Sequence, residues 1–147
     1  FQLMQYYGVS ADKVIVVSVR DQEARFYDNG KLVQAYQVTT GAPDLPSPVG
    51  IHCVLEKLYH TVFISPDPPG SPNYYQPTPI NYALMYSYYG YFLHDAWWRT
   101  WFGKYSNLPH YDPAAFNGGS HGCINFALNN AEWMYNWAEV GTPVIVY

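Results

Sequence analysis

At 147 residues the chain fits one domain, large enough to bury about two-thirds of its unfolded surface. Hydrophobic residues make up 49% and charged residues only 12%, a balance that excludes disorder. The net charge of −4, with 7 Lys and Arg and no basic run, argues against a nucleic-acid partner, and no apolar stretch approaches the ~18 residues needed to cross a membrane.

The sequence opens at Phe1 without an initiator Met, as a processed or trimmed chain does. The lack of a signal peptide therefore says little about compartment and leaves room for N-terminal modules. Residues 1–12 read as a loose lead-in, and 13–147 as one domain without repeats or linkers. Val14 to Val19 is a β-branched strand, and Ala24 to Tyr27 runs into Asp28-Asn29-Gly30, a strong hairpin signal. Lys31 to Thr40 is the return strand. Three Pro and two Gly make 41–50 a loop. Ile51 to Leu58 and Thr61 to Ser65 read as further strands, Pro66 to Pro79 as a second Pro-rich loop, and Ala83 to His94 as extended and aromatic. One helix is predicted, capped by Asn129 with Glu132 three residues on, and with Ala131, Met134, Tyr135 and Ala138 at helical spacing. Gly141 and Pro143 stop it, and Val144 to Tyr147 closes as a strand. The fold class is mainly β.

Two cysteines permit one disulfide at most. Cys53 sits in an apolar strand-like run, where a thiol is usually an inert small hydrophobe. Cys123 sits in Gly118-Gly119-Ser120-His121-Gly122-Cys123-Ile124-Asn125. A thiol attacks as thiolate, so a nearby imidazole or backbone N–H groups must favour ionisation, and the glycines let amides turn toward a substrate oxygen. All five histidines (His52, His60, His94, His110 and His121) precede Cys123, which excludes the Cys-first order of papain-like enzymes. His121 is two residues away, on the same side of an extended segment. His94 ends the apolar run Tyr91-Phe92-Leu93, a rigid perch for a base. His52, His60 and His110 read as structural. Two other classes of function stay open on the residues alone. His94, Asp95, His121 and Cys123 are legitimate zinc ligands, although no metal-site spacing links them. The aromatic content of 19%, with 16 Tyr and 5 Trp, also suits a non-catalytic cell-wall binding module.

Ser120-His121-Gly122-Cys123-Ile124-Asn125 resembles the signature of the L,D-transpeptidase (YkuD-type) catalytic domain. Pro46-Ser47-Pro48-Val49-Gly50, Phe92-Leu93-His94-Asp95-Ala96 and Gly141-Thr142-Pro143-Val144-Ile145-Val146 extend the resemblance in the same order from about Lys13 onward. It implies a β-sandwich-like fold with a groove over Cys123 and an extracytoplasmic, carbapenem-sensitive acyltransferase. The implied partners are peptidoglycan stem peptides, with no cofactor and no metal. Cys123 would form a thioester and pass the acyl group to an amine or, in an L,D-carboxypeptidase, to water. His94 would hold the proton, oriented by the Asp95 carbonyl. Ser120, His121 and Gly122 would shape the site, with the Gly122 and Cys123 amides facing the oxyanion. Asn125 would brace the loop, and Asp95 and Asn125 are counted among the substrate-binding residues. One departure stands out, because 25 residues separate His94 from Ser120, more than is usual in the family. This insertion reads as a lid or groove wall, with Trp97, Trp98 and Arg99 as substrate contacts and Arg99 as partner of a stem carboxylate.

Overall fold

The computed structural model describes residues 11–110 and 119–147. Most of the predicted lead-in, residues 1–10, therefore lies outside the described residues. Strands β1 (Lys13–Ser18), β2 (Glu23–Asp28), β3 (Lys31–Gln37), β4 (Gly50–Cys53) and β9 (Pro143–Val146) form one sheet in the order β3-β2-β1-β9-β4. Strands β5 (Glu56–Phe63), β6 (Thr78–Ser87), β7 (Tyr91–Asp95) and β8 (Ile124–Phe126) form a second, in that order. Helix α1 (Leu128–Trp137) leads from β8 toward β9. Neighbours pair antiparallel except β1 with β9 and β7 with β8, which are parallel.

Val14, Ile15, Val16 and Val17 are all buried because β1 is an inner strand covered on both faces, which is why it reads as a continuous apolar run. The main core gathers Ile15, Val17, Phe26, Leu84, Leu93, Ile124, Phe126 and Met134. Phe26 meets Trp133 at 5.2 Å and Trp137 at 5.5 Å edge to face, tying the helix to the first sheet. The predicted hairpin joins β2 to β3, with Asn29 at φ 51° and Gly30 at φ 77°, the pair of positive values that matches strand twist.

Three predicted elements differ. The run Ile51 to Leu58 is not one strand: at Val54 and Leu55 the chain crosses between sheets, Val54 N–H bonding to Thr142 and Leu55 N–H to Met85. An apolar pattern reports burial but not which sheet supplies the partner. The run Ala83 to His94 is a hairpin, opened at Gly90 with φ 86°. The helix starts two residues earlier than its capping signal predicts. Ala127 is its N-cap, without a side-chain hydrogen bond, and the Asn129–Glu132 box does not form. Burial of Ala131 and Met134 against the core sets the helix start in its place. The helix ends at Trp137, before Gly141, whose φ of 94° turns the chain into β9.

Candidate active site

The site grows from the parallel pairing of β7 and β8. Leu93 is opposite Ile124, and His94 opposite Asn125. Side chains alternate along strands, so His94 and Asn125 share one face, and Cys123 lies in the bend immediately before β8. Leu93, Ile124 and Phe126 fill the core on the other. The topology sets the predicted base at the end of β7 and the predicted nucleophile just ahead of the neighbouring β8.

His94 is 4% exposed, and its Nδ1–H donates to the Asp95 carbonyl at 2.7 Å, which leaves Nε2 as the basic nitrogen. Phe63 packs edge-on to the imidazole at 4.9 Å, and Trp98 lies 6.3 Å away. Burial pushes the His94 imidazole down to about 4, so it is neutral at pH 7. Asp95 itself is fully buried. Its carboxylate accepts from Asn81 N–H at 2.9 Å, Asn81 Nδ2 at 3.1 Å and Tyr82 N–H at 2.8 Å. This corrects its assignment as a substrate contact: it anchors the strand end that carries His94.

Cys123 is half-buried, and its sulfur lies 4.0 Å from the Gly90 carbonyl. Burial pushes the thiol up to about 11, outweighing the opposing hydrogen bond from the Phe92 backbone. The sequence argument called for a thiolate favoured at rest; in the structure the thiol and the His94 imidazole are each neutral at pH 7. Both cysteines are free thiols, so Cys123 is not held in a bridge to Cys53.

The loop before the nucleophile is closed by hydroxyls. Ser120 Oγ accepts from Gly122 N–H at 3.1 Å and donates to the Cys123 carbonyl. The Gly122 amide is thus engaged by Ser120 at rest. Ser47 Oγ accepts from Gly41 N–H at 2.9 Å and donates to the Gly122 carbonyl at 2.7 Å, clasping the Pro-rich loop to the nucleophile loop. Gly122 has φ 118°, and a Cβ there would meet Tyr91 Cε1 at 2.4 Å, so only glycine fits.

The remaining predicted residues divide. His121 is exposed, with its ring 5.2 Å from Tyr75. Partial burial and the Arg99 charge lower its basicity. Asn125 is 1% exposed and exchanges backbone bonds with Thr39 at 3.0 and 2.8 Å. These bonds are made by its backbone, and its side chain is too buried for the substrate contact also assigned to it. Trp97 is half exposed and donates to the Pro79 carbonyl at 2.9 Å, edge-on to Trp98 at 5.4 Å. Arg99 is buried, and its charge bears on both His94 and His121. The segment after β7 is fastened to Val38 and Thr39, through Gly103 N–H to Val38 O at 3.0 Å and Ser106 Oγ to Thr39 Oγ1 at 2.7 Å. These bonds hold the segment to the end of β3 as far as residue 106; residues 111–118 of the insertion lie outside the described residues. His52 bonds to the Pro48 carbonyl at 3.2 Å, His60 stacks on Tyr59 at 3.9 Å, and His110 bonds to the Leu108 carbonyl at 2.8 Å. Among the described residues no three His, Cys, Asp or Glu side chains converge as a metal set.

Sequence reasoning missed Tyr75, Ser47 and Tyr86. Tyr75 comes from the second Pro-rich loop, and both its burial and Cys123 hold its phenol above the usual value. Nothing local in Tyr74-Tyr75 indicates where that loop folds.

The two buried groups make stability depend on pH in opposite senses. Between about pH 6.5 and 4 the unfolded chain protonates His94 while the folded chain refuses the proton, so stability falls as pH drops, by about 3 kcal/mol for this group. From about pH 8.5 toward 11 the unfolded chain releases the Cys123 proton that the folded chain keeps, so stability falls as pH rises. Urea midpoints are expected to be level near pH 7–8, and His94→Gln should flatten the acid limb relative to the parent.

Known proteins share this arrangement. Residues 12–146 match the YkuD family, the L,D-transpeptidase catalytic domain. L,D-transpeptidase 2 of Mycobacterium tuberculosis is 31% identical over 121 residues, covering 80% of this chain and 27% of that relative. The crystal structure of the Enterococcus faecium L,D-transpeptidase superposes with TM-score 0.80 at 26% identity, covering 95% of this chain and 51% of that one. L,D-transpeptidase 3 of Mycobacterium tuberculosis, solved with a faropenem-derived adduct, superposes with TM-score 0.74 at 25% identity, covering 92% and 61%. This chain therefore spans between about a quarter and three-fifths of the length of these relatives. With 135 consecutive residues matched, the chain belongs to the L,D-transpeptidase catalytic domain family.

Proposed function

We propose that this chain is the acyl-transfer domain of an L,D-transpeptidase acting on peptidoglycan stem peptides outside the cytoplasm. The observation that carries this reading is the parallel pairing of β7 with β8, with His94 tautomerically fixed by the Asp95 carbonyl and Cys123 in the bend that leads into β8. Among the described residues no helix is long and apolar enough to cross a membrane.

The geometry supports a two-step reaction. His94 Nε2 takes the Cys123 proton as the sulfur attacks the carbonyl of the stem's L-centre residue, and the Cys123 amide faces the developing oxyanion. The C–N bond to the terminal D-amino acid then breaks. His94 returns the proton to that leaving amine, and a thioester remains on Cys123. The amine of a second stem attacks the thioester, its proton passes to His94, and the C–S bond breaks to give the cross-link and the neutral thiol. Water in place of the amine would give a trimmed tripeptide. Trp97, Trp98 and Arg99 form the wall along which the stem lies, with Arg99 directed to its carboxylate.

Incubation with a tetrapeptide stem is expected to yield cross-linked dimers, and faropenem is expected to add one adduct that peptide mass spectrometry places on Cys123. An adduct on Cys53, or no adduct and no processed stem, would refute the reading. Tripeptide without dimer would reassign the acceptor to water.

A further inference from the structure

Hydroxyls hold the nucleophile loop at three successive peptide groups. Ser120 Oγ holds the first by accepting the Gly122 N–H at 3.1 Å, and the third by donating to the Cys123 carbonyl. The middle one, between Gly122 and Cys123, falls to Ser47, whose hydroxyl donates to the Gly122 carbonyl at 2.7 Å. The partners set the direction of that bond. Gly41 N–H, 2.9 Å from the same Oγ, can only donate and a carbonyl can only accept, so the hydroxyl proton lies toward Gly122. Ser47 is 4% exposed, so the bond is screened from water.

Ser47 is itself anchored. Gly41 packs so closely inside the turn that a Cβ there would fall 2.1 Å from the Leu45 carbonyl and 2.8 Å from Ser47 N. Leu45 N–H closes the turn onto the Ala42 carbonyl at 2.9 Å, and Ala42 N–H bonds to the Ser120 carbonyl at 2.9 Å. Beyond Ser47, His52 bonds to the Pro48 carbonyl at 3.2 Å and packs edge-on to Tyr86 at 5.1 Å. Tyr86 is buried as the extra residue where the β6–β7 ladder slips, Met85 pairing with Phe92 and Ser87 with Tyr91. The Pro-rich loop thus grips the nucleophile loop at Ser120 and again at Gly122.

A peptide group is planar, and in the trans form its C=O and N–H point in opposite directions. Fixing the Gly122 carbonyl therefore aims the Cys123 N–H, which belongs to the same plane. That plane needs fixing, because Gly122 at φ 118° has no Cβ to limit its rotation. The dipoles also run in one sense, from Gly41 N–H through the Ser47 hydroxyl to the Gly122 carbonyl and on to the Cys123 N–H. Each polarises the next and makes the last a stronger donor. We infer that Ser47 is a positioning residue for acyl transfer: its hydroxyl sets the Gly122–Cys123 peptide so that the Cys123 amide meets the oxyanion. As the C–S bond forms, the carbonyl π pair moves onto oxygen, and an amide already in place receives that charge without turning. Ser47 acts through the backbone and not on the sulfur.

This inference rests on acyl transfer at Cys123, with its amide as oxyanion donor. The test compares two reactions of one sulfur. Faropenem acylates through an oxyanion, whereas iodoacetamide alkylates by direct displacement of iodide and builds no charge on a carbonyl oxygen. Both are followed at one pH by peptide mass spectrometry at Cys123, in a Cys53→Ser background. Ser47→Ala should slow acylation at least about tenfold, while alkylation keeps the parental rate. Ser47→Thr, which retains the hydroxyl, should recover the ratio of acylation to alkylation. Equal slowing of both reactions would show a displaced sulfur, and no change in either would show an idle hydroxyl. Each overturns the inference, as does a Thr variant with the ratio of the Ala variant. If Ser47→Ala fails to fold, Ser47→Cys keeps the shape with a weaker donor, and the ratio at Cys123 should still fall; an unchanged ratio overturns the inference. A parent that is alkylated but never acylated at Cys123 would instead strike the acyl-transfer reading.

Discussion

His94→Gln is expected to slow acylation of Cys123 by about 10²–10⁴-fold, with Cys123→Ala setting the floor of no adduct at all. The pH profile separates this from simple loss of fit. In the parent, His94 is neutral above about 4 and the thiol keeps its proton below about 11, so the acylation rate should stay level from about pH 5 to 9. The proton then moves only inside the encounter with the carbonyl. In His94→Gln no base is at hand, and the reaction should follow the small fraction of thiolate, rising about tenfold per pH unit. Stopped-flow loss of faropenem absorbance measures both. A level profile in the variant at parental rate would remove His94 from the mechanism.

Gly122→Ala should damage fold and chemistry together. The new methyl would fall 2.4 Å from Tyr91 Cε1 and 3.0 Å from Cδ1, at a backbone φ of 118° that L-residues avoid. The nucleophile loop must shift, straining the Ser47 and Ser120 hydrogen bonds at the Gly122 peptide. A loss of about 2–4 kcal/mol in urea unfolding is expected, along with acylation too slow to saturate. Adding Tyr91→Ala relieves the contact but not the dihedral strain, so it should restore only part of the stability. Parental stability and rate in the single variant would show that the loop is softer than its contacts imply.

Much of this site is readable from the chain because its chemistry is packed into short stretches. Ser120 to Asn125 carries the nucleophile and its loop, and Phe92-Leu93-His94 announces a buried strand that ends in a base. The Asn29-Gly30 turn and the apolar β1 and β9 are legible for a similar reason, since each answers to local backbone geometry or to burial on both faces. What stays hidden depends on tertiary placement. The sheet change at Val54 and the early start of α1 follow from neighbours distant in sequence. Ser120 and Asp95 look like reactive groups in one dimension. In three they spend their oxygens on backbone N–H groups, a carbonyl and an amide side chain. Tyr86 sits in an apolar strand and reads as core, and only the slipped ladder shows it to be the extra residue of a bulge.

The position of β9 bears on how the molecule comes to be folded. A strand from residues 143–146 lies between β1 and β4, so the first sheet has a gap until that last stretch arrives. A nascent chain emerging from its N-terminus can form the β1–β2–β3 meander early. It cannot join β4 to it, because the piece that bridges them has yet to be made. Closure of the first sheet is therefore a long-range step, the regime of slow folding and exposed strand edges. Until residues 143–146 are in place, the edge of β1 has no partner on that side.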